Sequence, residues 1–416
     1  MLDINLIRKN PEIVRKALKD RGMNPKLADD FLALDEEWRK LTAQIDEERA
    51  RLNKLSQERN IEEGKKAKEK VKDLESQIEI LEEKREELLY QFPNIPSPNV
   101  PVGKDEKDNR LIKELGTRDK GQGKDYLTLA QELDLIDVER ASKVAGSRFG
   151  YLKGEAALLE FALVQLAFDA AVKEGFMPVI PPVLLKTEML KGMGKIKFIE
   201  DKDAFYLKDD NLYLAGSAEH TIGPMHAAEV FEEKYLPKRY VGFSTCFRRE
   251  AGSYGKDTRG ILRVHQFDKV ELFSFVKPED SEKEHQFLIE LQEKLMQALE
   301  LPYRVVEVCT GEMGFGDAKQ IDIEVWLPSE SRYRETHSAS NTTDFQSRGL
   351  NIKYRPTSNL QPPTSQFVHM LNATAFAIGR TLIAILENHQ TEKGTVKIPK
   401  ALQKYLDFKE IKQKPA

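Results

Sequence analysis

Apolar residues recur at intervals of three and four between positions 31 and 92. The first series is Phe31, Leu34, Trp38, Leu41, Ile45, Leu52 and Leu55, and the second is Ala67, Val71, Leu74, Ile78, Leu81, Leu88 and Phe92. This heptad spacing predicts two helices that pack along a coiled-coil seam. Because the two series match rung for rung when the chain folds back near residue 63, we expect an antiparallel hairpin within one chain.

Each series has one polar residue at a seam position. Glu48 takes an apolar slot in the first series, and Arg85 takes one in the second. Long charged side chains keep their head groups in water. We therefore expect both side chains to snorkel out of the seam and to loosen it locally.

The pattern changes after residue 92, where a proline-rich connector begins. Its prolines stop the preceding helix and stiffen an extended segment: Pro93, Pro96, Pro98 and Pro101. We place a domain boundary here. The prediction is an N-terminal domain over residues 1–100, with the helical arm at about 27–92, followed by a second domain over residues 101–416.

The second domain mixes helical and strand-like segments. An apolar helix is predicted over residues 154–175, and β-branched and aromatic runs such as RYVGFSTCF, VELFSFV and IDIEVWL predict strands. Many of these runs are separated by hairpin-like or irregular loops rather than by regular helices. The fold class is therefore α+β, with a mainly antiparallel sheet flanked by helices.

Composition excludes several classes of protein. The 416 residues carry a formal charge of −4, so any nucleic-acid partner must be met by a local basic patch. The two cysteines, Cys246 and Cys309, lack CxxC spacing, which argues against a cysteine zinc site and favours a reducing compartment such as the cytoplasm. The N-terminal segment lacks a signal-peptide pattern, and no apolar run reaches the ~20 residues that a membrane span needs.

The distal part of the arm is such a patch. From Arg49 to Lys72 there are nine Lys or Arg residues against four Glu, a net charge of +5, which leaves −9 for the rest of the chain. A protruding basic tip on an acidic protein favours contact with a phosphate backbone. The alternative is the lysine-rich solvated face of a structural or dimerising coiled coil.

The stretch FRREAGSYGKDTRGILRVHQFDKVE, residues 247–271, concentrates charge on a predicted strand pair. It holds four arginines, two lysines and four carboxylates. Arg248 and Glu250 are two residues apart, so on a strand they would share a face. Arginine forks bind phosphate or carboxylate, and neighbouring acids suit an amine or a metal. Between the strands we predict a mobile basic loop that contains Gly252, Gly255, Lys256, Arg259 and Gly260.

These residues resemble the second signature motif of the class II aminoacyl-tRNA synthetases, and in particular of the seryl-tRNA synthetases. The resemblance extends along the chain through PNIPSPNVPVG, GFMPVIPPVLL, LYLAGSAEH, RYRETHSASNTTDFQ and LNATAFAIGRTLIAILEN. It implies a homodimeric ATP-dependent ligase, with Pro182 at the dimer interface. Such an enzyme forms seryl-adenylate from L-serine and ATP with Mg²⁺, then transfers serine to tRNA-Ser, which the arm binds, and to tRNA-Sec where that tRNA exists.

The resemblance also implies roles for individual residues. Arg248, Arg380 and Glu335 would be catalytic. Serine would be bound by Ser217, Ala218, Glu219, Arg248, Glu271 and Thr374. ATP would be bound by Arg248, Arg249, Glu250, Val264, Phe267, Glu335, Thr336, His337, Ser338 and Arg380, and Mg²⁺ by Glu335 and Ser338.

Some positions depart from the family pattern. Ser217 replaces the usual threonine but keeps its hydroxyl, and Ala373 adds a methyl group where glycine is common. His220 and His226 have no accompanying cysteine cluster, so we expect structural histidines rather than zinc ligands.

Two alternatives remain at this stage. One is a related ligase that activates an amino acid but loads a carrier protein; such relatives would lack the long basic arm. The other is a catalytically silent RNA-binding or scaffold protein, which predicts erosion at Arg248, Glu250, Glu335 or Arg380. All four residues are intact. The absence of a P-loop or a nucleophile–base signature is compatible with adenylate formation, because the substrate carboxylate is itself the nucleophile.

Overall fold

The computed structural model describes residues 1–118, 123–251, 259–357 and 365–413. The chain divides into two compact units, Met1–Ile95 and Pro96–Ala416. The division falls within the proline-rich connector. The predicted glycines Gly252 and Gly255 and the predicted basic residue Lys256 lie outside the described residues.

The first unit is helical. Its described helices are α1 (Ile4–Lys9), α2 (Pro11–Asp20), α3 (Lys26–Gln57) and α4 (Ile61–Leu89). The 32 residues of α3 give a rod of about 48 Å at the helical rise of ~1.5 Å per residue. The chain reverses at residues 58–60, slightly before the predicted position, and the Asn60 side chain caps α4 by accepting from the Glu63 amide at 3.3 Å.

Helices α3 and α4 form the predicted antiparallel hairpin. Phe31 meets Phe92 edge-on at one end, with ring centroids 5.6 Å apart, and Arg51 pairs with Glu63 at 3.2 Å near the other. The buried seam is made of predicted heptad residues: Phe31, Ile45, Ala67, Val71, Leu74 and Leu81. The hairpin prediction is thus confirmed.

The expected snorkelling of the two polar seam residues is wrong. The side chains of Glu48 and Arg85 are only 12% and 18% exposed, because each finds a partner across the hairpin. Glu48 pairs with Lys70, while Arg85 lies 3.2 Å from Asp35 and stacks over Trp38 at 4.0 Å.

Asp35 joins three helices of this unit. Its fully buried carboxylate accepts two 2.7 Å hydrogen bonds from Arg8 of α1 and lies 3.2 Å from both Arg39 and Arg85. Burial opposes ionisation of Asp35, but the three guanidinium groups keep its pKa below the ordinary value. A buried charge is tolerated here because it is multiply paired.

The second unit is built on an eight-stranded sheet. Its described helices are α5 (Tyr126–Glu132), α6 (Val138–Ala145), α7 (Glu155–Lys173), α8 (Thr187–Gly192), α9 (Ile196–Glu200), α10 (Glu219–Ile222), α11 (Ser281–Ala298), α12 (Phe345–Leu350) and α13 (Ile378–Asn388). Its described strands are β1 (Arg110–Leu115), β2 (Ile136–Asp137), β3 (Tyr151–Leu152), β4 (Met177–Val179), β5 (Leu184–Lys186), β6 (Tyr206–Leu207), β7 (Leu212–Leu214), β8 (Val230–Glu232), β9 (Lys238–Phe247), β10 (Gln266–Val276), β11 (Tyr303–Glu307), β12 (Lys319–Leu327), β13 (Arg332–Asn341), β14 (Lys353–Arg355), β15 (Gln366–Phe367), β16 (His369–Ala377), β17 (Val396–Lys397) and β18 (Glu410–Ile411).

The large sheet has the order β1-β11-β12-β13-β16-β10-β9-β4. All neighbours are antiparallel except the edge strand β4, which runs parallel to β9. Helices α7, α11 and α13 pack on one face through a continuous core that includes Leu159, Leu295 and Ile385. The α+β prediction, with its mainly antiparallel sheet and flanking helices, is confirmed.

Alternation along β10 divides the sheet into two faces. Val270 and Leu272 belong to the core under the helices, whereas Phe273 and Phe275 belong to a second apolar cluster.

Among the described residues, no helix has the length and apolar character to cross a membrane.

Candidate active site

A cavity of about 500 Å³ lies against the central strands of the sheet. Its wall combines charged residues from β10 and β13 and polar residues from β16 with the segments after β9 and at the start of α13. Eleven of the fifteen predicted site residues line it: Glu219, Arg248, Glu250, Val264, Phe267, Glu271, Glu335, Thr336, Ser338, Thr374 and Arg380. Residues more than 160 positions apart in the sequence thus meet in one place.

Strand alternation and a bulge place the contributions of β10 and β16. Phe267, Lys269 and Glu271 line the cavity from alternate positions of β10. Thr374 of β16 lies directly opposite Glu271, and the register shifts at that point. The bulge shifts the pairing beside the site, and bulges are common next to active sites.

A second bulge explains the spacing of Glu335 and Ser338. On a regular strand, residues three apart face opposite sides of the sheet. Here the register of β12 and β13 shifts, since Ile323 pairs with His337 but Glu324 pairs with Glu335. Glu335 and Ser338 therefore line the same cavity.

The expectation that Arg248 and Glu250 share a strand face is wrong. Strand β9 ends at Phe247, and Glu250 has a positive φ of 51°. Both side chains still reach the cavity. The Arg248 Nε donates to the Gly216 carbonyl at 3.1 Å, and its guanidinium lies 5.3 Å from the Phe267 ring centroid.

Arg249 faces elsewhere. Its Nε donates to the Ala204 carbonyl at 3.1 Å, and its guanidinium stacks over Phe205 at 4.5 Å. It does not line the described cavity. These contacts anchor the segment that carries Arg248. The ATP contact of Arg249 stays a prediction.

The other three predicted residues lie just beneath the cavity wall. Ser217 is buried; its hydroxyl donates to Glu271 at 3.2 Å and accepts from the Glu219 amide at 3.3 Å. Ala218 is fully buried at the N-terminal cap of α10. His337 is held between the Thr336 hydroxyl and the Ala375 carbonyl, at 2.8 and 2.9 Å. Burial lowers the pKa of His337 to about 4, so its imidazole is neutral at pH 7.

Two buried carboxylates form the centre of the site, and each has its own lysine. Glu219 pairs with Lys195, and Glu271 pairs with Lys269. Burial opposes ionisation of Glu219, but the charge of Lys195 holds its pKa well below the ordinary value. Burial raises the pKa of Glu271, and the nearby charge of Glu219 adds to this effect.

Sequence reasoning missed several residues of the wall. Lys269 and Asn372 line it and lie two positions from predicted contacts on the same strands, so alternation could have found them. Lys195 comes from the turn between α8 and α9, where no local pattern marks it. Arg263, also in the wall, lies 3.3 Å from Glu250 and neutralises it.

The residues predicted to bind Mg²⁺ fit a divalent cation. The Asp322 carboxyl, on the strand position opposite Ser338, is buried, and burial together with the Glu335 charge raises its pKa well above the ordinary value. A cation at Glu335 and Ser338 would offset this concentration of negative charge. The described residues offer no group of three His, Cys, Asp or Glu side chains that could hold a metal ion. Mg²⁺ usually keeps several waters and substrate phosphates as ligands.

The two questioned histidines have structural partners. His220 Nδ1 accepts from the Gly216 amide at 3.2 Å, and burial lowers the pKa of His220 to about 4. His226 lies between Glu229 and the Tyr240 hydroxyl, 2.8 Å from each. These contacts agree with the expected structural roles.

Comparison with known proteins decides the family. Residues 1–96 match the seryl-tRNA synthetase N-terminal domain, and residues 205–389 match the tRNA synthetase class II core domain (G, H, P, S and T). The serine–tRNA ligase of Pyrococcus furiosus is 46% identical over 449 aligned positions, which cover 99% of this chain and 97% of that protein. The chain belongs to the seryl-tRNA synthetase family.

Solved structures of this family share the fold over the full length. Seryl-tRNA synthetase from Pyrococcus horikoshii, in complex with ATP, is 41% identical, with a TM-score of 0.93 and complete coverage of both chains. The cytoplasmic serine–tRNA ligase from Naegleria fowleri, in complex with AMP, is 34% identical with a TM-score of 0.90, covering 100% of this chain and 99% of that one. The resemblance inferred from the motifs is confirmed.

Proposed function

We propose that this protein is a serine–tRNA ligase that activates L-serine with ATP and transfers the seryl group to the 3′ end of tRNA-Ser. The convergence of Arg248 and Arg380 with the paired acids Glu219 and Glu271 in one cavity carries this conclusion. Two seryl-tRNA synthetase relatives were solved with ATP or AMP bound, which supports an adenine nucleotide as the second substrate.

The first half-reaction needs positioning rather than acid–base catalysis. The serine carboxylate is already ionised at neutral pH and attacks the α-phosphorus of ATP, releasing pyrophosphate. Arg248 holds these two anions together, Arg380 binds the terminal phosphate, and Phe267 and Glu250 receive the adenine. Because the two arginines are already positioned in a partly closed cavity, they stabilise the negative charge that develops on the phosphate in the transition state. A Mg²⁺ ion at Glu335 and Ser338, when bound, neutralises phosphate charge.

Amino-acid selection follows from the buried polar groups. Glu219 and Glu271 are placed to receive the serine ammonium and hydroxyl groups, with Thr374 opposite Glu271. Alanine would leave at least one of these groups unpaired, a loss of about 1–3 kcal/mol. Ser217 supports this arrangement from below through its hydrogen bond to Glu271.

The first unit, and above all the basic tip of its arm, is the proposed tRNA-binding domain. Exposed lysines on α4, including Lys65, Lys68 and Lys72, present positive charge along the distal part of the arm. The selenocysteine tRNA is a second proposed substrate wherever it exists, and the cytoplasm is the proposed location.

A homodimer is proposed from exposed apolar residues on and after α7. Leu158 and Phe161 on the helix are 53% and 67% exposed, and Met177 and Ile180 after it are 59% and 75% exposed. Pro182, the predicted interface residue, follows and is also exposed. Apolar surface of this kind is typical of a protein–protein interface.

Two assays separate the proposal from its alternatives. The enzyme should exchange pyrophosphate into ATP only when serine is present, and it should charge tRNA-Ser. Exchange without charging of any tRNA would indicate a carrier-loading ligase. The absence of exchange with every amino acid would leave a silent scaffold.

A further inference from the structure

Lys195 enters the active-site cavity from a tightly constrained turn. It lies between α8 and α9, directly after Gly194, which has a φ of +71°. A Cβ atom at Gly194 would come within 2.6 Å of the Phe345 ring, and one at Gly192 within 2.7 Å of Leu350. Substitution of either glycine would therefore move the turn, and the turn fixes where the Lys195 backbone starts.

The ammonium of Lys195 forms an ion pair with Oε1 of Glu219. Glu219 is 6% exposed and lines the same cavity. Among the described residues, the carboxylate of Glu219 has one further ion-pair contact, with His220 Nε2, which lies 3.5 Å from the same Oε1 atom. Because both of these contacts are to Oε1, we expect the second carboxylate oxygen, Oε2, to receive a ligand in the cavity.

Other charged and titratable groups lie around Glu219, on two further elements and on its own helix. Arg248 lies after β9, Lys269 and Glu271 lie on β10, and His220 follows Glu219 on α10. Lys269 is already engaged by Glu271. Burial lowers the pKa of His220 to about 4, so this imidazole brings no charge at neutral pH. Within the described part of the chain, Lys195 is thus the lysine that forms a direct ion pair with Glu219.

We infer that Lys195 is a positioning residue for amino-acid recognition: it keeps the Glu219 carboxylate charged and oriented, so that Oε2 can receive the α-ammonium of the substrate. This inference rests on the proposed function of the site. An isolated carboxylate in a desolvated cavity takes up a proton, and a neutral carboxyl is a poor partner for an ammonium. Burial opposes ionisation of Lys195, but the charge of Glu219 raises the lysine pKa above its ordinary value.

The test compares Lys195→Met with Lys195→Arg in the full-length enzyme, using serine-dependent exchange of pyrophosphate into ATP between pH 6 and 8.5. The matched control is Lys197→Met, which removes a half-buried lysine two residues away that pairs with Glu200 at 2.7 Å. Michaelis constants for serine and for ATP are measured separately. Lys195→Gln serves as a second neutral variant if the methionine variant does not fold.

In Lys195→Met we expect the serine KM to rise about tenfold at pH 7.5 and to rise further as the pH falls, because Glu219 then binds a proton that serine must displace. The ATP KM should stay within about twofold of wild type, and Lys195→Arg and Lys197→Met should resemble wild type. A serine KM with the wild-type value and pH profile would overturn the inference, as would a parallel rise of both KM values without added pH dependence. If the wild-type enzyme itself shows no serine-dependent exchange, the proposed function fails instead.

Discussion

The Arg380 guanidinium lies 3.3 Å from the Glu335 carboxylate, and its Nη1 donates to the Glu335 backbone carbonyl at 2.9 Å. The backbone hydrogen bond positions the guanidinium, while the ion pair keeps both charges at the cavity wall. Arg380 stands in the first turn of α13, and Glu335 stands beside the bulge of β13. The pair thus links two motifs that are 45 residues apart.

Replacing Arg380 with Gln should slow adenylate formation by a factor of about 10² to 10³, since one pre-organised donor to the developing charge is removed. Pyrophosphate exchange measured with saturating serine and ATP gives this factor. Arg140→Gln is the matched control, because the Arg140 side chain is 75% exposed, pairs with Asp137 and does not line the described cavity. An Arg380 variant as active as this control would remove Arg380 from the catalytic machinery.

Removing positive charge from the tip of the arm should weaken the binding of tRNA and leave the binding of serine and ATP unchanged. A variant that replaces the exposed residues Lys65, Lys68 and Lys72 with Gln should raise the tRNA KM. It should also reduce the slope of log KM against log salt by about 0.7–0.9 for each tRNA phosphate that the arm no longer neutralises. The KM values for serine and ATP should not change. These quantities are measured by aminoacylation and by exchange over a salt series.

A control with the same charge change on the second unit replaces the exposed residues Lys173, Lys208 and Lys283 with Gln. If the arm variant and this control shift the tRNA KM equally, the tip of the arm has no special role in tRNA binding.

Asp35→Asn should destabilise the first unit by about 3 kcal/mol, because three arginines lose a buried counter-charge. Urea unfolding of the full chain can be followed by the fluorescence of Trp38 in a Trp326→Phe background, since these are the two tryptophans. Asp29→Asn is the control, as Asp29 is 53% exposed in its pair with Arg15. Equal unfolding midpoints for both variants would show that the Asp35 cluster adds no net stability.

The Glu160 carboxyl should make stability depend on pH in the neutral range. Burial and the hydrogen bond with Asp268 raise the pKa of Glu160 from 4.5 to about 8. The folded protein therefore holds a proton that the unfolded chain releases above pH 4.5, so the free energy of unfolding falls as the pH rises from about 4.5 to 8.

Glu160→Gln should remove this dependence and leave the variant more stable than wild type at pH 8, by at least about 1 kcal/mol. Urea unfolding at pH 5.5 and pH 8.5 measures the difference, with the exposed Glu139→Gln as control. The same pH dependence in wild type and in Glu160→Gln would contradict the assignment to this carboxyl.

What the sequence could predict depended on the range of the interactions. The hairpin followed from heptads because each helix is specified by residues three or four apart. Strand periodicity could not predict that Glu335 and Ser338 line the same cavity, because it puts residues three apart on opposite faces of a sheet. A bulge in the pairing of β12 and β13 brings them to the same side. Bulges leave no simple pattern in the sequence. Arg248 and Glu250 were expected on one strand, but the strand ends before them. Lys195 could be found only from the fold, since it lies in a turn and its partner Glu219 lies on α10, 24 positions along the chain.

The most direct test of the account is a crystal structure of the protein with a nonhydrolysable seryl-adenylate mimic. We predict hydrogen bonds of about 2.7–3.2 Å from Arg248 to the linkage between the seryl and phosphate groups, the adenine stacked on Phe267, and the ammonium at Glu219. A complex in which Arg248 and Arg380 point into solvent, away from the bound molecule, would contradict it.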